Sequence, residues 1–184
     1  EVVTTDKKTG KEITLMTPAH KDEVRYPSWT KGEVPAPPSH NWHAGLQYLG
    51  DVARAKKVLY ELDKHYPGAE KFEIAGFLWW QGDKDRYNAA HSAMYEKNLN
   101  QLFKALRKDF NAPKAKMVVA TLGQTNKETA SGNEKLIIEG MFAFGDSHKG
   151  EAAVVYTNPI SMGSSSNAHY GGNAKTYMNV GLAM

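Results

Sequence analysis

A chain of 184 residues, 41% hydrophobic and 23% charged, has room for one domain around a single core. Its formal net charge of +3 comes from scattered lysines (Lys7-Lys8, Lys56-Lys57, Lys114, Lys116) and not from a dense basic stripe, which argues against a nucleic-acid partner. It contains no cysteine, so disulfides, a thiolate zinc site and a cysteine nucleophile are excluded, and no apolar stretch approaches the length of a membrane span.

Residues 1–41 are poor in apolar periodicity and rich in Lys, Thr, Pro and Gly. Glu12-Ile-Thr-Leu-Met16 predicts one short edge strand after a turn at Gly10. Pro27, Pro35, Pro37 and Pro38 then forbid regular structure, so Pro18 to Ser39 reads as an irregular excursion anchored by Trp29 and Trp42. From Trp42 to Tyr66 the pattern is helical, with Tyr48, Val52, Ala55, Leu59, Leu62 and Tyr66 on one face and Pro67-Gly68 ending it.

The run Ile74 to Trp80 has no polar alternation and stops at Gln81-Gly82, which predicts a strand buried on both faces of a parallel sheet. A helix follows over Asn88–Asp109, with Tyr95, Leu99, Leu102, Phe103, Leu106 and Phe110 as its buried stripe. Met117 to Leu122 predicts a second strand, closed by Gly123-Gln-Thr-Asn126. Ser131-Gly-Asn-Glu134 has the spacing of a capping box and starts a further helix. Ala152 to Tyr156 predicts a third strand. A Gly/Ser-rich loop, Asn158 to Tyr170, leads to a last helix with Tyr177, Val180 and Met184 inward.

Alternating helices and strands at this spacing predict right-handed βαβ units and an α/β chain with a parallel sheet in a three-layer α/β/α sandwich. Residues 42–184 carry this pattern. Three strands are few for such a sheet, whose edges are therefore expected to continue into strands outside the chain. The chain begins at Glu1 and stops inside a helical pattern at Gly181-Leu-Ala-Met184. It is expected to be a piece of a longer protein.

In a parallel sheet the loops after Trp80, Leu122 and Tyr156 share one edge, where chemistry sits in open α/β folds. They gather Gln81, Gly82, Asp83 and Asp85, then Gly123 to Asn126, then Ser161 to His169. A histidine in a Gly/Ser loop beside an amide donor suggests acyl transfer, with histidine as general base and the amide as oxyanion donor. Asp83 and Asp85 have a plainer alternative as caps of the helix at Asn88. Trp79 and Trp80 read as core packing before they read as a sugar platform. His20, His40, His43, His65, His91 and His148 read as surface or satisfied histidines.

Ile74 to Asp85 resembles the Gly-Phe-x-Trp-x-Gln-Gly-Glu-x-Asp block of the sialate O-acetylesterase-like carbohydrate esterases, in the SGNH/GDSL hydrolase superfamily. The likeness continues through Asn98-Leu and Leu106-Arg-Lys-Asp-Phe110, and His169-Tyr-Gly-Gly-Asn-Ala-Lys-Thr-Tyr177 resembles that family's terminal histidine block. The resemblance implies a flavodoxin-like (SGNH) sheet, incomplete here, and ester hydrolysis that deacetylates a carbohydrate without metal or organic cofactor. It gives Gln81 the oxyanion role, with Gly82 allowing close backbone approach, and makes His169 the base that activates the nucleophile. The family's serine block, Gly-Gln-Ser-Asn or Gly-Asp-Ser after the first strand, is missing, so the serine is expected from sequence upstream of Glu1 or from a second chain. The superfamily often places Asp three residues before the histidine. Here Ser166 stands there, leaving Asp83 or Asp85 to orient His169, or a dyad with neither. A secreted or periplasmic location is implied.

Two stand-ins for the nucleophile are weaker. Gly145-Asp146-Ser147 follows a helix rather than a strand, whereas Gly123-Gln-Thr125-Asn126 follows a strand and carries a hydroxyl. The readings from other classes are a carbohydrate-binding or assembly module that keeps the fold without a nucleophile, and a flavodoxin-like domain holding an anion at Gly171-Gly172.

Overall fold

The computed structural model describes residues 2–5, 12–15, 45–163 and 166–184. The Pro-rich excursion and its anchors Trp29 and Trp42 lie outside the described residues. The chain forms two compact units, Glu1–Glu73 and Ile74–Met184.

In the first unit, β1 (Val2–Thr5) pairs antiparallel with β2 (Glu12–Leu15), Val2 opposite Leu15 and Thr5 opposite Glu12. β2 is the expected edge strand; β1 was not anticipated, although its Val-Val-Thr-Thr run is wholly β-branched and suits a pleated ribbon. The predicted helix is realised as α1 (Leu46–Tyr60) and a single further turn, α2 (Leu62–His65). Its buried stripe is Leu49, Val52 and Ala53. Val52 is where the periodicity put it, but Ala55 and Tyr66 are exposed. The apolar face is turned by about one residue from the expected one.

The second unit holds a three-stranded sheet in the order β3-β4-β5, where β3 is Gly76–Trp79, β4 Lys116–Ala120 and β5 Ala152–Val155. Both pairings are parallel, with Trp79 opposite Val119 and Ala120 opposite Val155. Between the strands run α3 (Ala89–Ala93), α4 (Tyr95–Asp109) and α5 (Gly132–Ser147), and α6 (Ala174–Ala183) closes the chain. The expected α/β architecture with a parallel, incomplete sheet is present.

The core is built from alternate residues of each strand. Phe77 and Trp79, Met117 and Val119, and Ala152 and Val154 meet Tyr95, Leu99 and Phe103 of α4 and Ile137, Met141 and Phe144 of α5. This face is apolar because α4 and α5 each carry their large side chains on one stripe at helical spacing. The opposite parity of β3 is a correction to the sequence reading. Leu78 is 67% exposed, so the unalternating run from Ile74 to Trp80 is not buried on both faces within this chain. Among the described strands β3 is an edge, paired to β4 alone.

Two local expectations change with tertiary context. Ser131 precedes α5 as its cap residue but makes no side-chain capping bond. Glu134, the other half of the expected capping box, instead accepts from Arg86 Nη1 at 2.6 Å. A charge-assisted bond to a half-buried guanidinium is stronger than a local cap. In α6, Val180 is buried as expected but Tyr177 is 43% exposed, and Thr176 takes the inward position. No helix among the described residues is long and apolar enough to cross a membrane.

Candidate active site

The chain leaves β3 through Trp80, whose indole Nε1 donates to the Thr121 carbonyl at 3.1 Å and so ties the first strand tip to the second. Gln81 comes next, and its Nε2 donates to Asp85 Oδ2 at 2.6 Å. Gly82 is buried with φ +141, a backbone conformation that L side chains rarely adopt. A Cβ there would sit 3.2 Å from each of Ile137, Met141 and the Tyr95 hydroxyl. Glycine thus lets the turn fold directly onto α4 and α5.

Tyr95, buried at the start of α4, donates its hydroxyl to the Gln81 carbonyl at 2.6 Å and lies 3.4 Å from Gln81 Oε1. Burial raises its pKa and the nearby Asp85 charge adds to this, so the phenol remains a donor at neutral pH. The single turn of 3₁₀ helix at Asp85–Tyr87 is followed by Asn88, whose side chain accepts from the amides of Ala90 and His91. Asn88, rather than Asp83 or Asp85, caps α3.

Asp83 accepts from Arg86 Nε at 2.8 Å, and Gln124 Nε2 of the second tip lies 3.5 Å from the same oxygen. Burial works against the Arg86 charge, but its bonds to Glu134 and Asp83 outweigh that and raise its pKa. Arg86 is therefore a fixed cation joining the first tip to α5. Sequence reading passed over it, although it directly follows Asp85.

At the second tip, Thr125 is 2% exposed and its hydroxyl has no hydrogen-bond partner among the described residues. A nucleophile for a sugar ester must meet solvent, which Thr125 does not. Ser147 ends α5 and its Oγ bonds back to the Phe144 carbonyl at 3.0 Å, as a helix-end hydroxyl does. His148 also bonds the Phe144 carbonyl and packs on the Phe144 ring, as a satisfied structural histidine.

The third tip is held by hydroxyls. Thr157 Oγ1 donates to the Thr121 carbonyl at 2.6 Å, and Ser161 Oγ to the Thr157 carbonyl at 2.8 Å. Gly123 faces Ser161 so closely that a Cβ would lie 2.2 Å from its Oγ. Further on, Thr176 of α6 both accepts from the Met162 amide at 2.7 Å and donates to the Met162 carbonyl at 2.8 Å.

His169 is exposed and lies in a left-handed run: φ is +49 at His169, +52 at Tyr170, +62 at Gly171 and +68 at Gly172. Left-handed backbone costs a non-glycine residue about 1–2 kcal/mol, so the two positions preceding the glycines are strained. The Tyr170 side chain holds them. Its ring stacks on Trp80 at 5.6 Å between centroids, and Tyr177 meets both rings edge-on. Its hydroxyl accepts from the buried Gly123 amide at 3.0 Å and reaches Gln124 Oε1 at 3.4 Å. Burial raises the Tyr170 pKa, opposed by the Gly123 amide bond and reinforced by the Asp83 charge. Tyr170 was not singled out from sequence; its place next to His169 in the terminal block was the available signal. Replacing it with Phe would keep the stack and strand the Gly123 amide. We expect a loss of about 1–3 kcal/mol of folding stability, read from denaturant melts of the intact protein.

The structure thus brings Gln81, Gly82, Asp83 and Asp85 into one bonded turn, and links the His169 loop to it through Tyr170 on Trp80. Among the bonds of the described residues, those of Asp83 run to Arg86 and Gln124 and that of Asp85 to Gln81, and none runs to His169. The side chain of Trp79 packs into the core and that of Trp80 against Tyr170, so neither offers an open platform. Gly171 and Gly172 precede Asn173, whose side chain accepts from the Thr176 amide and caps α6.

A family model described as carbohydrate esterase, sialic acid-specific acetylesterase matches residues 5–180. Among solved structures, an Arabidopsis thaliana protein determined by X-ray diffraction is similar over 71% of this chain, with 21% identity and a TM-score of 0.50. At that identity the likeness bears on the fold. The matched part covers 50% of that protein, so this chain spans about half its length. No curated protein matches the chain.

Proposed function

The chain belongs to the sialic acid-specific acetylesterase family of carbohydrate esterases, and we propose that it supplies the general base and an oxyanion donor for removing acetyl groups from a carbohydrate. In this reading a serine from outside Glu1–Met184 attacks the acetyl carbonyl while His169 takes its proton. The carbonyl oxygen becomes an oxyanion that receives an N–H of Gln81, and Gly82 keeps side-chain bulk away from it. Collapse breaks the bond to the sugar oxygen, which His169 protonates, and leaves an acetyl-serine. Water, activated by the same histidine, then releases acetate.

The observation that carries the reading is the stack of Trp80 on Tyr170. These residues adjoin Gln81 and His169 in sequence, so their contact draws the two proposed catalytic residues into one neighbourhood. The partners in this proposal are an acetylated carbohydrate and the portion of the same protein, or a second chain, that bears the serine. We assign a secreted or periplasmic location on the family resemblance.

Labelling with a fluorophosphonate tests the proposal, because it phosphonylates an activated serine in place of the acetyl group. In the intact protein we expect one labelled serine, outside Glu1–Met184, with labelling lost when His169 is replaced. Acetate release with the label on Thr125 would overturn the assignment. Neither label nor acetate release would identify a carbohydrate-binding module instead.

A further inference from the structure

An amide that donates to an oxyanion must present nitrogen, not oxygen, to the reacting carbonyl, and its two ends have nearly the same shape. Something must fix which way round it lies. Asp85 is placed to do this: its Oδ2 stands 2.6 Å from Gln81 Nε2. A carboxylate has acceptors and no proton to give, so the end of the amide that touches it has to be the NH₂. At the other end the Tyr95 hydroxyl, whose proton goes to the Gln81 backbone carbonyl at 2.6 Å, lies 3.4 Å from Oε1. The Asp85 carboxylate excludes the flipped amide, which would set two acceptors together there.

We propose that Asp85 is a positioning residue that orients the Gln81 amide through this bond, leaving the second Nε2 hydrogen to donate to the oxyanion. This rests on Gln81 as the oxyanion donor. The bond occupies one of two hydrogens, and among the described residues the other has no acceptor. It is also charge-assisted, which polarises the amide and makes the remaining N–H a better donor. Asp85 is itself held in place: its carbonyl accepts from Ser92 Oγ at 2.9 Å and from the Asn88 amide at 3.0 Å. These are backbone bonds, so changing the Asp85 side chain leaves them standing. In this proposal Asp85 acts on the amide and not on His169.

The experiment combines kinetics with the side-chain amide resonances of Gln81 in the ¹⁵N-labelled intact protein. In the wild type one of the two Gln81 Nε2 protons should be strongly deshielded by the Asp85 carboxylate. In Asp85→Ala that shift should collapse, and kcat should fall about 10–100-fold with KM little changed, below the about 10²–10³-fold cost of losing an oxyanion donor outright. Asp85→Asn keeps an acceptor oxygen and should recover most of the loss, which a merely structural role would not require. In a Gln81→Ala background Asp85→Ala should cost nothing further. Gln81 resonances unmoved by Asp85→Ala would overturn the proposal whatever the kinetics show. So would a full kcat in Asp85→Ala when Gln81→Ala alone is impaired. If Gln81→Ala keeps full activity, the oxyanion role of Gln81 falls, and the positioning role falls with it.

Discussion

Replacing His169 with Asn is expected to lower kcat of the intact protein on a small acetyl ester by about 10²–10⁴-fold, the usual worth of a general base. Asn is the informative choice because of the backbone. His169 has φ +49, where Asn is among the few residues that sit comfortably and Ala is not. His169→Asn therefore removes the base without disturbing the left-handed run through Tyr170, whereas His169→Ala adds strain to the chemical change. The residue is exposed, so folding stability should move by less than about 0.5 kcal/mol. The exposure has a second consequence. A truncated site open to solvent admits a small base, and added imidazole should restore part of the rate in His169→Ala. Activity within a few-fold of wild type in both variants would remove His169 from the mechanism.

The parallel sheet was legible because each strand is an apolar run closed by a turn, with helical periodicity between. The strand tips were therefore identifiable, and with them the neighbourhood of Gln81, Gly123 and His169. What the sequence did not reveal were partners chosen across long separations. Ser131 and Glu134 have capping-box spacing, yet Glu134 bonds Arg86, 48 residues away in sequence. Local spacing cannot register a competing guanidinium on another element. Leu78 shows the same limit for burial: a run without polar residues signals apolar surroundings on both sides, but not that the chain at hand supplies them. Tyr170 shows it for the site. It is one more aromatic in the sequence, while in space its hydroxyl and ring hold three strand-tip segments together.

Gln81 allows a test in which shape and chemistry are separated. Gln81→Ala deletes the proposed oxyanion donor and should lower kcat by about 10²–10³-fold, with KM within a few-fold, because the lost bond forms to charge that develops only in the transition state. Gln81→Glu keeps the size and branching of the side chain but replaces the NH₂ by oxygen. That oxygen would face Asp85 Oδ2 where a hydrogen bond of 2.6 Å now stands, and it would present a negative charge to the oxyanion. The near-isosteric Glu variant is therefore expected to lose at least as much kcat as the truncated Ala variant. The split between kcat and KM in the two variants is the readout. If Gln81 serves only to fill space or to pack the turn above Gly82, both variants should lose folding stability and keep kcat within a few-fold. If it holds substrate in the ground state, both variants should raise KM and leave kcat alone. Donation to a developing oxyanion requires that kcat fall in both variants while KM holds.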